Sequence, residues 1–464
     1  MKILMVASEA APYAKTGGLG DVLGSLPAAL AALGDEVAVV LPKYRSVSAP
    51  DARRIWDDLA VQAGIRRYSV AIDEVFLNDV RYLLVDCPAL YDRPGGIYGH
   101  LDDHVRYAVL DHAALGIARL IFRPHIIHAH DWQTGLLAPY VRVNFAADPT
   151  LLGTRCVFTI HNLGYQGNFP APVATELGIG PALYNPAGLE FWGEISFMKA
   201  GIVWADAVTT VSPTYAREIQ TPAYGFGLDG VLRTHAAKLS GILNGVDYSI
   251  WNPETDPFLP AHYSAADLSG KLAAKRALLE EMYLPDRPGR PLIGIISRFA
   301  EQKGFDLVAG IAPWLMTQDV ALVVLGSGDG HTETMFRDLA ATHPDKVAAF
   351  IGYNDGLAHR IEAGADMFLM PSRYEPCGLN QIYSLRYGTT PIVRATGGLD
   401  DTVDRSTGFK FRDYTAASLQ AAVADALVAF RGGENWKQRI LRGMARDFSW
   451  NASARAYQRL YRSV

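Results

Sequence analysis

The feature that most constrains this chain is the alternation of short apolar runs with longer helical patterns along its whole length. Each run is the length of a buried strand, and the segments between runs place apolar residues at helical spacing. Strands separated by helices predict parallel sheets covered by helices on both faces. The predicted strands are 2–7, 36–41, 81–86, 125–130, 155–160 and 207–211, and then 292–297, 320–325, 347–351, 367–370 and 391–394.

A length of 464 residues, 49% of them hydrophobic, is enough for two large domains. Segment 252–262 has three prolines and no periodicity, so we interpret it as the hinge or crossover between them. We predict an α/β fold with two Rossmann-like, doubly wound domains that face each other across a deep cleft. The predicted bounds are 1–250, 251–447, and 448–464 for a C-terminal helix that returns to the first domain.

Composition narrows the classes of function. Lys and Arg total 43 against 48 Asp and Glu, a formal net charge of −5, so we expect neither nucleic acid nor a membrane as partner. The three cysteines have no metal-ligand spacing, which indicates a reducing compartment without a disulfide framework. No run of about 18 apolar residues could span a bilayer, and residues 2–7 read as a strand rather than a targeting segment. We therefore expect a cytoplasmic protein.

A glycine-rich segment, 15–21 (KTGGLGD), lies between the first strand and the first helix. Its glycines let the backbone approach a ligand, the helix start favours an anion, and Lys15 adds a cation. The spacing is not that of a Walker loop, and an ordinary tight turn is the alternative. A similar run, 396–401 (TGGLDD), follows a later strand. The repetition suggests two glycine-rich turns that face a common ligand.

Two cations follow the strand 292–297: Arg298 directly, and Lys303 on the loop that leads to the next helix. Such a pair suits a diphosphate, and it would stabilise the charge that develops as a nucleotide leaves. The alternative is a pair of solvated surface charges.

The segment 371–381 (PSRYEPCGLNQ) follows the strand 367–370. Glu375 can accept hydrogen bonds from sugar hydroxyls, while N–H groups from Gly378 onward can meet phosphate. Cys377 as a nucleophile is the weaker interpretation, because no base partner is identifiable.

Histidines end two further strands. His161 and Asn162 follow the strand 155–160, where a polar pair would project into a cleft. In the run 125–132 (HIIHAHDW), His128 and His130 share one face of a strand. A metal site there lacks an assured third ligand, so we favour a polar lining of an acceptor groove and expect no metal.

Taken together and in order, these elements resemble the glycogen and starch synthase family of retaining glycosyltransferases, which have the GT-B fold. The resemblance covers essentially the whole chain. Its motifs are KTGGLGD (15–21), HAHDW (128–132), TIHN (159–162), ILNGVD (242–247), SRFAEQKG (297–304), PSRYEPCGLNQ (371–381) and TGGLDDTV (396–403).

The resemblance implies roles for residues in the first domain. Lys15, Gly17, Gly18 and Asp21 would line the diphosphate and sugar of the donor. The remaining implied roles are His161 beside the transferred glucose, Asn244 holding that glucose, and Asp131 beside the attacking 4-hydroxyl of the acceptor.

In the second domain it implies that Arg298 and Lys303 clamp the phosphates and that Glu375 contacts sugar hydroxyls. The other implied donor contacts are Tyr353 as a wall for the base, backbone groups of Cys377, Gly378 and Leu379, and the side chain of Asn380.

Three positions distinguish this chain within related families. Tyr383 stands where other members have a second glutamate, as in the glycogen synthase branch. Gly20 stands where many bacterial members have alanine. Asn380 stands where threonine is usual, so donor affinity could differ.

The expected activity is transfer of glucose from ADP-glucose to the non-reducing end of an α-1,4-glucan, with retention and without a cofactor. The alternatives are a UDP-glucose-dependent enzyme and a non-catalytic glucan-binding protein on the same fold. A phosphorylase-like enzyme would need a lysine that binds pyridoxal phosphate, and the sequence contains no segment that supports such a site.

Overall fold

The computed structural model describes all 464 residues, which form two compact units. The first unit comprises Met1–Gly245 and Trp450–Val464, and the second comprises Val246–Ser449. The second unit is therefore inserted into the sequence of the first. The domain bounds drawn from the sequence, and the assignment of acceptor and donor to them, stay predictions.

The strands are numbered in chain order. They are β1 (Lys2–Val6), β2 (Glu36–Pro42), β3 (Arg53–Ala63), β4 (Arg66–Leu77), β5 (Val80–Asp86), β6 (Ile126–His130), β7 (Arg155–Ile160), β8 (Asn168–Pro170), β9 (Glu190–Phe191), β10 (Glu194–Ser196), β11 (Ala207–Thr210), β12 (Leu239–Gly241), β13 (Leu292–Phe299), β14 (Ala321–Gly328), β15 (Val347–Ile351), β16 (Met367–Met370), β17 (Thr390–Arg394) and β18 (Phe409–Phe411).

The α-helices are α1 (Gly18–Ala32), α2 (Pro88–Tyr91), α3 (Asp103–Ile117), α4 (Leu137–Pro139), α5 (Pro172–Glu176), α6 (Phe197–Trp204), α7 (Pro213–Glu218), α8 (Asp229–Thr234), α9 (Ser269–Glu281), α10 (Phe305–Leu315), α11 (Gly330–Thr342), α12 (Asp355–Gly364), α13 (Asn380–Arg386), α14 (Gly397–Thr402), α15 (Ala416–Phe430), α16 (Glu434–Met444) and α17 (Trp450–Ser463). Short 3₁₀ turns include Glu301–Lys303, just before α10.

The first unit is built on a nine-stranded sheet in the order β12-β11-β7-β6-β1-β2-β5-β4-β3, with a separate small sheet β8-β10-β9. Its central strands pair in parallel, and β1 is buried from Ile3 to Val6. α17 packs against α1, whose buried face includes Val22, Leu26 and Leu30. Gly34, with φ at +90°, follows that helix, as its predicted stop requires.

An antiparallel ribbon corrects the expectation of purely parallel sheets. β3 pairs antiparallel with β4, and β4 pairs antiparallel with β5. β3 was not predicted because its residues alternate in burial and include Arg53, Arg54, Asp57 and Asp58, so no apolar run marks it. The ribbon extends one edge of a sheet that is otherwise parallel.

The second unit contains a six-stranded, all-parallel sheet in the order β15-β14-β13-β16-β17-β18. Counted from β13, this is the 3-2-1-4-5-6 order of a Rossmann fold. Apolar side chains of the strands and of α10 and α15 form the main core, including Ile293, Leu322, Ile311 and Leu419. The predicted strands of this half are all present.

Segment 252–262, predicted to be a hinge or crossover, belongs to the second unit. Asp256 within it is 1% exposed and accepts hydrogen bonds from His359 Nδ1 at 2.7 Å and from the Tyr387 hydroxyl. Trp251 stacks on His359 with ring centroids 3.8 Å apart. The chain passes between the two units after Gly245 and returns at Trp450, whereas segment 252–262 lies within the second unit.

None of the helices combines the length and apolar character that a membrane span requires.

Candidate functional site

In both units the predicted site residues follow the carboxyl ends of parallel strands, where open α/β sheets bind ligands. The strand order of the first unit reverses between β1 and β6, and loops after β1, β6 and β7 carry Lys15, Asp131 and His161. In the second unit it reverses between β13 and β16, which are followed by Lys303 and Glu375. Each unit thus presents its own group of polar side chains at a topological switch point.

The loop before α1 is open at its glycines. A Cβ atom built on Gly17 or Gly18 would meet no atom within 4 Å, so a ligand can approach this backbone closely. Lys15 Nζ lies 2.6 Å from Asp21 Oδ1, and its side chain is 49% exposed. Because α1 begins at Gly18, the Lys15 ammonium and the N–H groups at the start of the helix both favour an anion here.

Glu9, which follows β1, anchors this loop by hydrogen bonds, and it was not among the site residues predicted from the sequence motifs. The Glu9 carboxylate accepts hydrogen bonds from Thr16 N, from Thr16 Oγ1 at 2.7 Å and from Gly17 N at 3.1 Å. The Tyr98 hydroxyl also donates to Glu9 and lies 2.8 Å from Ser8 Oγ. The sequence feature that could have indicated Glu9 is the polar pair Ser8-Glu9 directly after a buried strand.

Asp131 holds the backbone at the start of the His161 loop. Its Oδ1 accepts a hydrogen bond from His161 N at 2.7 Å. Burial raises the pKa of Asp131 to about 7, although N–H donors from His161 and Asn162 act in the opposite direction. Its φ of +59° and ψ of −179° lie in a region that essentially only glycine adopts, at a cost of roughly 1–3 kcal/mol. Such strain is typical of functional positions.

Three histidines form a row in the first unit, of which His128 and His130 are buried and His161 is partly exposed. His128 lies 2.7 Å from the Tyr461 hydroxyl through Nδ1 and 2.6 Å from Thr159 Oγ1 through Nε2. His130 Nδ1 lies 3.0 Å from His161 Nε2. Burial lowers the pKa of His128 and of His161 to about 3 and that of His130 well below its usual range. All three imidazoles are therefore neutral at pH 7.

These contacts bear on the metal interpretation of the 125–132 run. Both ring nitrogens of His128 are engaged in hydrogen bonds to hydroxyl groups rather than turned toward a shared point. Nowhere in the chain do three or more His, Cys, Asp or Glu side chains gather as a metal would need. The arrangement fits a polar lining, and its role beside an acceptor stays a prediction.

Asn244 lies in the loop after β12 and is 6% exposed. Its Oδ1 is enclosed and has no hydrogen-bond partner within the protein. Because an unsatisfied buried amide oxygen is costly, a ligand hydroxyl is a suitable partner for it.

In the second unit, Lys303 and Glu375 form an ion pair across two loops. Lys303 Nζ lies 2.7 Å from Glu375 Oε2, and Ser372 Oγ donates to the same oxygen at 3.0 Å. Glu375 is 5% exposed. The loops approach closely because Gly304, at φ +74°, lacks a side chain: a Cβ atom there would lie 2.1 Å from the Pro371 carbonyl oxygen. Two residues that are 72 positions apart in the sequence are thus in contact.

Arg298 and Tyr353 are exposed at the ends of β13 and β15, the two strands on either side of β14. Arg298 lies near the end of β13, and its guanidinium makes no hydrogen bond or ion pair, so it is available to a phosphate. Tyr353 follows β15, is 85% exposed, and has its hydroxyl 3.3 Å from Asp355 Oδ1. An exposed ring of this kind can stack on a nucleotide base.

The loop before α13 presents backbone rather than a reactive thiol. Cys377 is 5% exposed, and its carbonyl oxygen accepts from Gln381 Nε2 at 3.1 Å. Gly378 has φ at +68°, and Leu379 directly precedes the first residue of the helix. All three cysteines of the chain are buried and none forms a disulfide, as expected. The buried thiol gives no support to a nucleophile.

Asn380 begins α13, and its side chain turns toward β13. Its Nδ2 donates to the Ile296 carbonyl oxygen at 3.0 Å. The amide group is therefore engaged with the protein through its nitrogen, which leaves its oxygen and the backbone N–H for any ligand.

The second glycine-rich turn, 396–401, differs from the first. A Cβ atom on Gly397 would lie 1.9 Å from the Glu375 carbonyl oxygen, and one on Gly398 would lie 2.1 Å from the Cys377 carbonyl oxygen. Gly398 N donates to the Glu375 carbonyl oxygen at 3.1 Å. These glycines allow the turn to pack against the Glu375 loop, whereas we expected both turns to face a ligand. The glycines of the two similar segments therefore serve different purposes: those of 15–21 leave space for a ligand, and those of 396–401 allow close packing within the protein.

The second unit provides two cations: the unpaired guanidinium of Arg298 and the ammonium of Lys303, which is held by the buried carboxylate of Glu375. Such cations bind diphosphate and stabilise it as a leaving group. The first unit adds a lysine, open glycines, neutral imidazoles and a carboxyl group whose pKa is near 7.

Comparisons with known proteins agree with this chemistry. The family model described as the starch synthase catalytic domain matches residues 2–234, and the one described as glycosyl transferases group 1 matches residues 284–436. The glycogen synthase of Anaeromyxobacter dehalogenans (strain 2CP-1) is 51% identical over 476 residues, covering 100% of this chain and 99% of the relative. The glycogen synthase of Anaeromyxobacter sp. (strain Fw109-5) is 51% identical over 475 residues with the same coverage.

A solved structure extends the likeness to three dimensions. The catalytic domain of starch synthase IV from Arabidopsis thaliana, bound to ADP and acarbose, is 34% identical and matches with a TM-score of 0.93. The match covers 100% of this chain and 99% of the other. The predicted class, a GT-B fold of two Rossmann-like domains, is confirmed. Family models, relatives and structure agree, and the chain belongs to the glycogen and starch synthase family of glycosyltransferases.

Proposed function

We propose that this chain is a glycogen synthase that transfers glucose from ADP-glucose to the 4-hydroxyl at the non-reducing end of an α-1,4-glucan, with retention of configuration. The observation that carries the proposal is the cationic switch point of the second unit, where Arg298 is unpaired and Lys303 is held by Glu375. A module that only binds glucan has no need of a diphosphate clamp. The names of the relatives support the glucan product.

In the first unit, Lys15, Gly17, Gly18 and Asp21 line the diphosphate and sugar of the donor. The open glycines and the exposed ammonium support this assignment.

Three polar groups of the same unit act on the sugars. His161 approaches the transferred glucose, and the enclosed oxygen of Asn244 accepts a hydrogen bond from one of its hydroxyls. Asp131 lies beside the attacking hydroxyl of the acceptor.

In the second unit, Arg298 and Lys303 clamp the two phosphates. Glu375 orients Lys303 and accepts hydrogen bonds from sugar hydroxyls. Tyr353 forms a wall for the base. The remaining donor contacts are the backbone of Cys377, Gly378 and Leu379, and Asn380 through its amide oxygen or backbone N–H.

Retention without a protein nucleophile favours substitution on one face of the sugar. The bond from the anomeric carbon to the phosphate oxygen breaks while the bond to the acceptor oxygen forms. The departing phosphate oxygen takes the proton of the acceptor hydroxyl. Negative charge therefore grows on the diphosphate, where the two cations stabilise it more strongly than in the ground state. The reaction as proposed needs no cofactor.

ADP-glucose is favoured over UDP-glucose as donor because the structurally similar starch synthase IV is bound to ADP. The substrates are a nucleotide sugar and a glucan, and no nucleic acid or membrane is involved. We place the reaction in the cytoplasm, since three buried cysteines without a disulfide suit a reducing compartment.

The test is the release of ADP and of UDP from their glucose donors, with and without glycogen. ADP release that depends on glycogen, together with growth of its outer chains, is the expected result. Dominant UDP release would change the donor assignment and leave the transferase. Glycogen binding without release of either nucleotide would overturn the enzymatic proposal in favour of a glucan-binding protein.

A further inference from the structure

His130 and His161 are brought together by the pairing of β6 and β7. His130 is the last residue of β6 and is in register with Thr159, while His161 directly follows β7. The 3.0 Å between His130 Nδ1 and His161 Nε2 is a hydrogen-bond distance. Because each neutral imidazole carries one proton, one ring must donate and the other must accept.

The surroundings of His130 decide which ring donates. His130 is 0% exposed, and its Nε2 is enclosed without a hydrogen-bond partner. A proton on Nε2 would leave a buried N–H donor unsatisfied, whereas a bare lone pair there costs less. The proton of His130 therefore lies on Nδ1 and is donated to His161 Nε2. The single proton of His161 must then lie on Nδ1.

The Nδ1 atom of His161 is available to a ligand. His161 is partly exposed, and its Nδ1 has no partner in the protein and is not among the enclosed polar atoms. The backbone of the same residue is held by Asp131, so the ring is oriented from both ends.

We propose that His130 is a positioning residue that holds His161 in the Nδ1–H tautomer, so that neutral His161 donates a hydrogen bond from Nδ1 to a hydroxyl of the transferred sugar. The identity of this ligand rests on the proposed function, whereas the tautomer rests on the contacts and burial of the two rings.

The neighbouring His128 holds His130 in place. The two rings lie 4.0 Å apart between centroids, and His128 is anchored by the Tyr461 hydroxyl and by Thr159. His130 thus has little freedom to turn its Nδ1 away from His161.

The direct test is the tautomer of His161 in protein labelled with ¹⁵N-histidine, read from two-bond ¹H–¹⁵N correlations and assigned with a His161→Gln variant. In the wild-type protein we expect protonated Nδ1 and bare Nε2. A wild-type spectrum with protonated Nε2 would overturn the proposal, whether or not the chain transfers sugar.

Two variants of matched size test the role of His130. Asn can place its Nδ2 donor near the position of histidine Nδ1, so His130→Asn should keep His161 in the Nδ1–H tautomer. His130→Leu removes the donor, so His161 should no longer be restricted to that tautomer. We expect kcat to fall about 10-fold to 100-fold in His130→Leu, as when a group that orients a functional histidine is lost, and His130→Asn to restore most of it. An unchanged His161 tautomer in His130→Leu would assign the positioning to another group. Should His130→Leu not fold, the wild-type and Asn spectra still decide.

Discussion

Arg298 and Lys303 differ in their contacts with the rest of the protein. Substitutions at the two positions should therefore distinguish an effect on turnover from an effect on stability. The guanidinium of Arg298 has no partner in the protein, so Arg298→Ala should leave the free energy of unfolding within about 0.5 kcal/mol. Its kcat should nevertheless fall by a factor on the order of 10²–10³, by analogy with one lost oxyanion donor. Turnover with saturating ADP-glucose and urea unfolding measure the two effects.

Lys303→Ala should show a similar loss of kcat together with lower stability, because it leaves the buried Glu375 carboxylate without its cation. Lys437→Ala, at an exposed position of α16, is the matched control. Unchanged kcat in Lys303→Ala would remove this residue from the leaving-group site.

Asp131 should make stability depend on pH. Its pKa is about 7 in the folded protein against a model value of 3.8, so the folded state binds the proton more tightly. The stabilisation that Asp131 contributes is therefore fully present below about pH 4 and is lost as the pH rises through 7. Asp131→Asn removes this dependence while keeping an acceptor for His161 N. Relative to wild type, its free energy of unfolding should rise by about 3 kcal/mol between pH 5 and pH 8. A constant difference in urea unfolding would contradict the raised pKa.

The site was predictable where a functional residue directly follows an apolar strand. Arg298 and His161 lie at the ends of β13 and β7, and Glu375 lies in the loop after β16, as the sequence indicated, while their roles stay predictions. The Glu9 contact to the 15–21 loop and the His130 contact to His161 were not predicted. Both depend on which strands are neighbours and on the conformation of the loops that follow them, and a single sequence shows neither.

At the scale of the element, the first turn of α1 has little room beside Lys15. A Cβ atom on Gly20 would lie 2.9 Å from Lys15 Cγ and 3.2 Å from its Cα. Gly20→Ala should therefore displace Lys15 by a few tenths of an ångström and disturb its ion pair with Asp21. We expect the KM for ADP-glucose to rise several-fold, with a change in stability below about 1 kcal/mol.

Gly230→Ala is the control for helix propensity alone. Gly230 lies in α8, and its nearest neighbour to an added Cβ is Arg233 Nη2 at 3.8 Å. This variant should keep its KM and gain up to about 1 kcal/mol of stability. An equal KM in wild type and Gly20→Ala would show that Lys15 tolerates the methyl group.

Strand prediction succeeded where both faces of a strand are buried. β1, β13 and β14 are nearly continuous apolar runs, as central parallel strands require. The ribbon β3–β4 exposes much of its surface and is rich in charge. The three-residue strands β12 and β18 are too short to give a period.

For the whole molecule, buried titratable groups predict opposite acid responses of the two units. Burial lowers the pKa of five histidines in the first unit, His235 and the four named below, so their unfolded forms take up protons below about pH 6.5 and stability is lost on acidification. Two buried acids with raised pKa offset part of this loss. The other four histidines are His112, His128, His130 and His161, and the acids are Asp111 and Asp131.

In the second unit the raised groups are acids. Burial raises the pKa of Glu362 to about 8 and raises that of Asp366, so these two groups stabilise the folded unit as pH falls from 7 to 5, while Lys271, whose pKa burial lowers to about 7, offsets part of this gain. Each uncompensated proton contributes about 1.4 kcal/mol per pH unit.

Hydrogen exchange at pH 7 and pH 5, corrected for intrinsic rates, measures both units in one sample. Slow amides of β1 and β6 should lose protection at pH 5, while those of β13 and β14 should gain it. A change of the same sign in both sheets would contradict the prediction.

The insertion of one unit into the other has a consequence for how the protein is made. Val246 N donates to the Phe448 carbonyl oxygen at 2.9 Å, so the two ends of the second unit are tied to each other. During synthesis this unit can therefore close on itself as soon as Ser449 has left the ribosome. The first unit, although its sheet is translated earlier, still lacks α17, with Tyr461 against His128. The part of the chain that is made first is thus the last to be completed, and its open α1 surface is what a nascent-chain chaperone would meet.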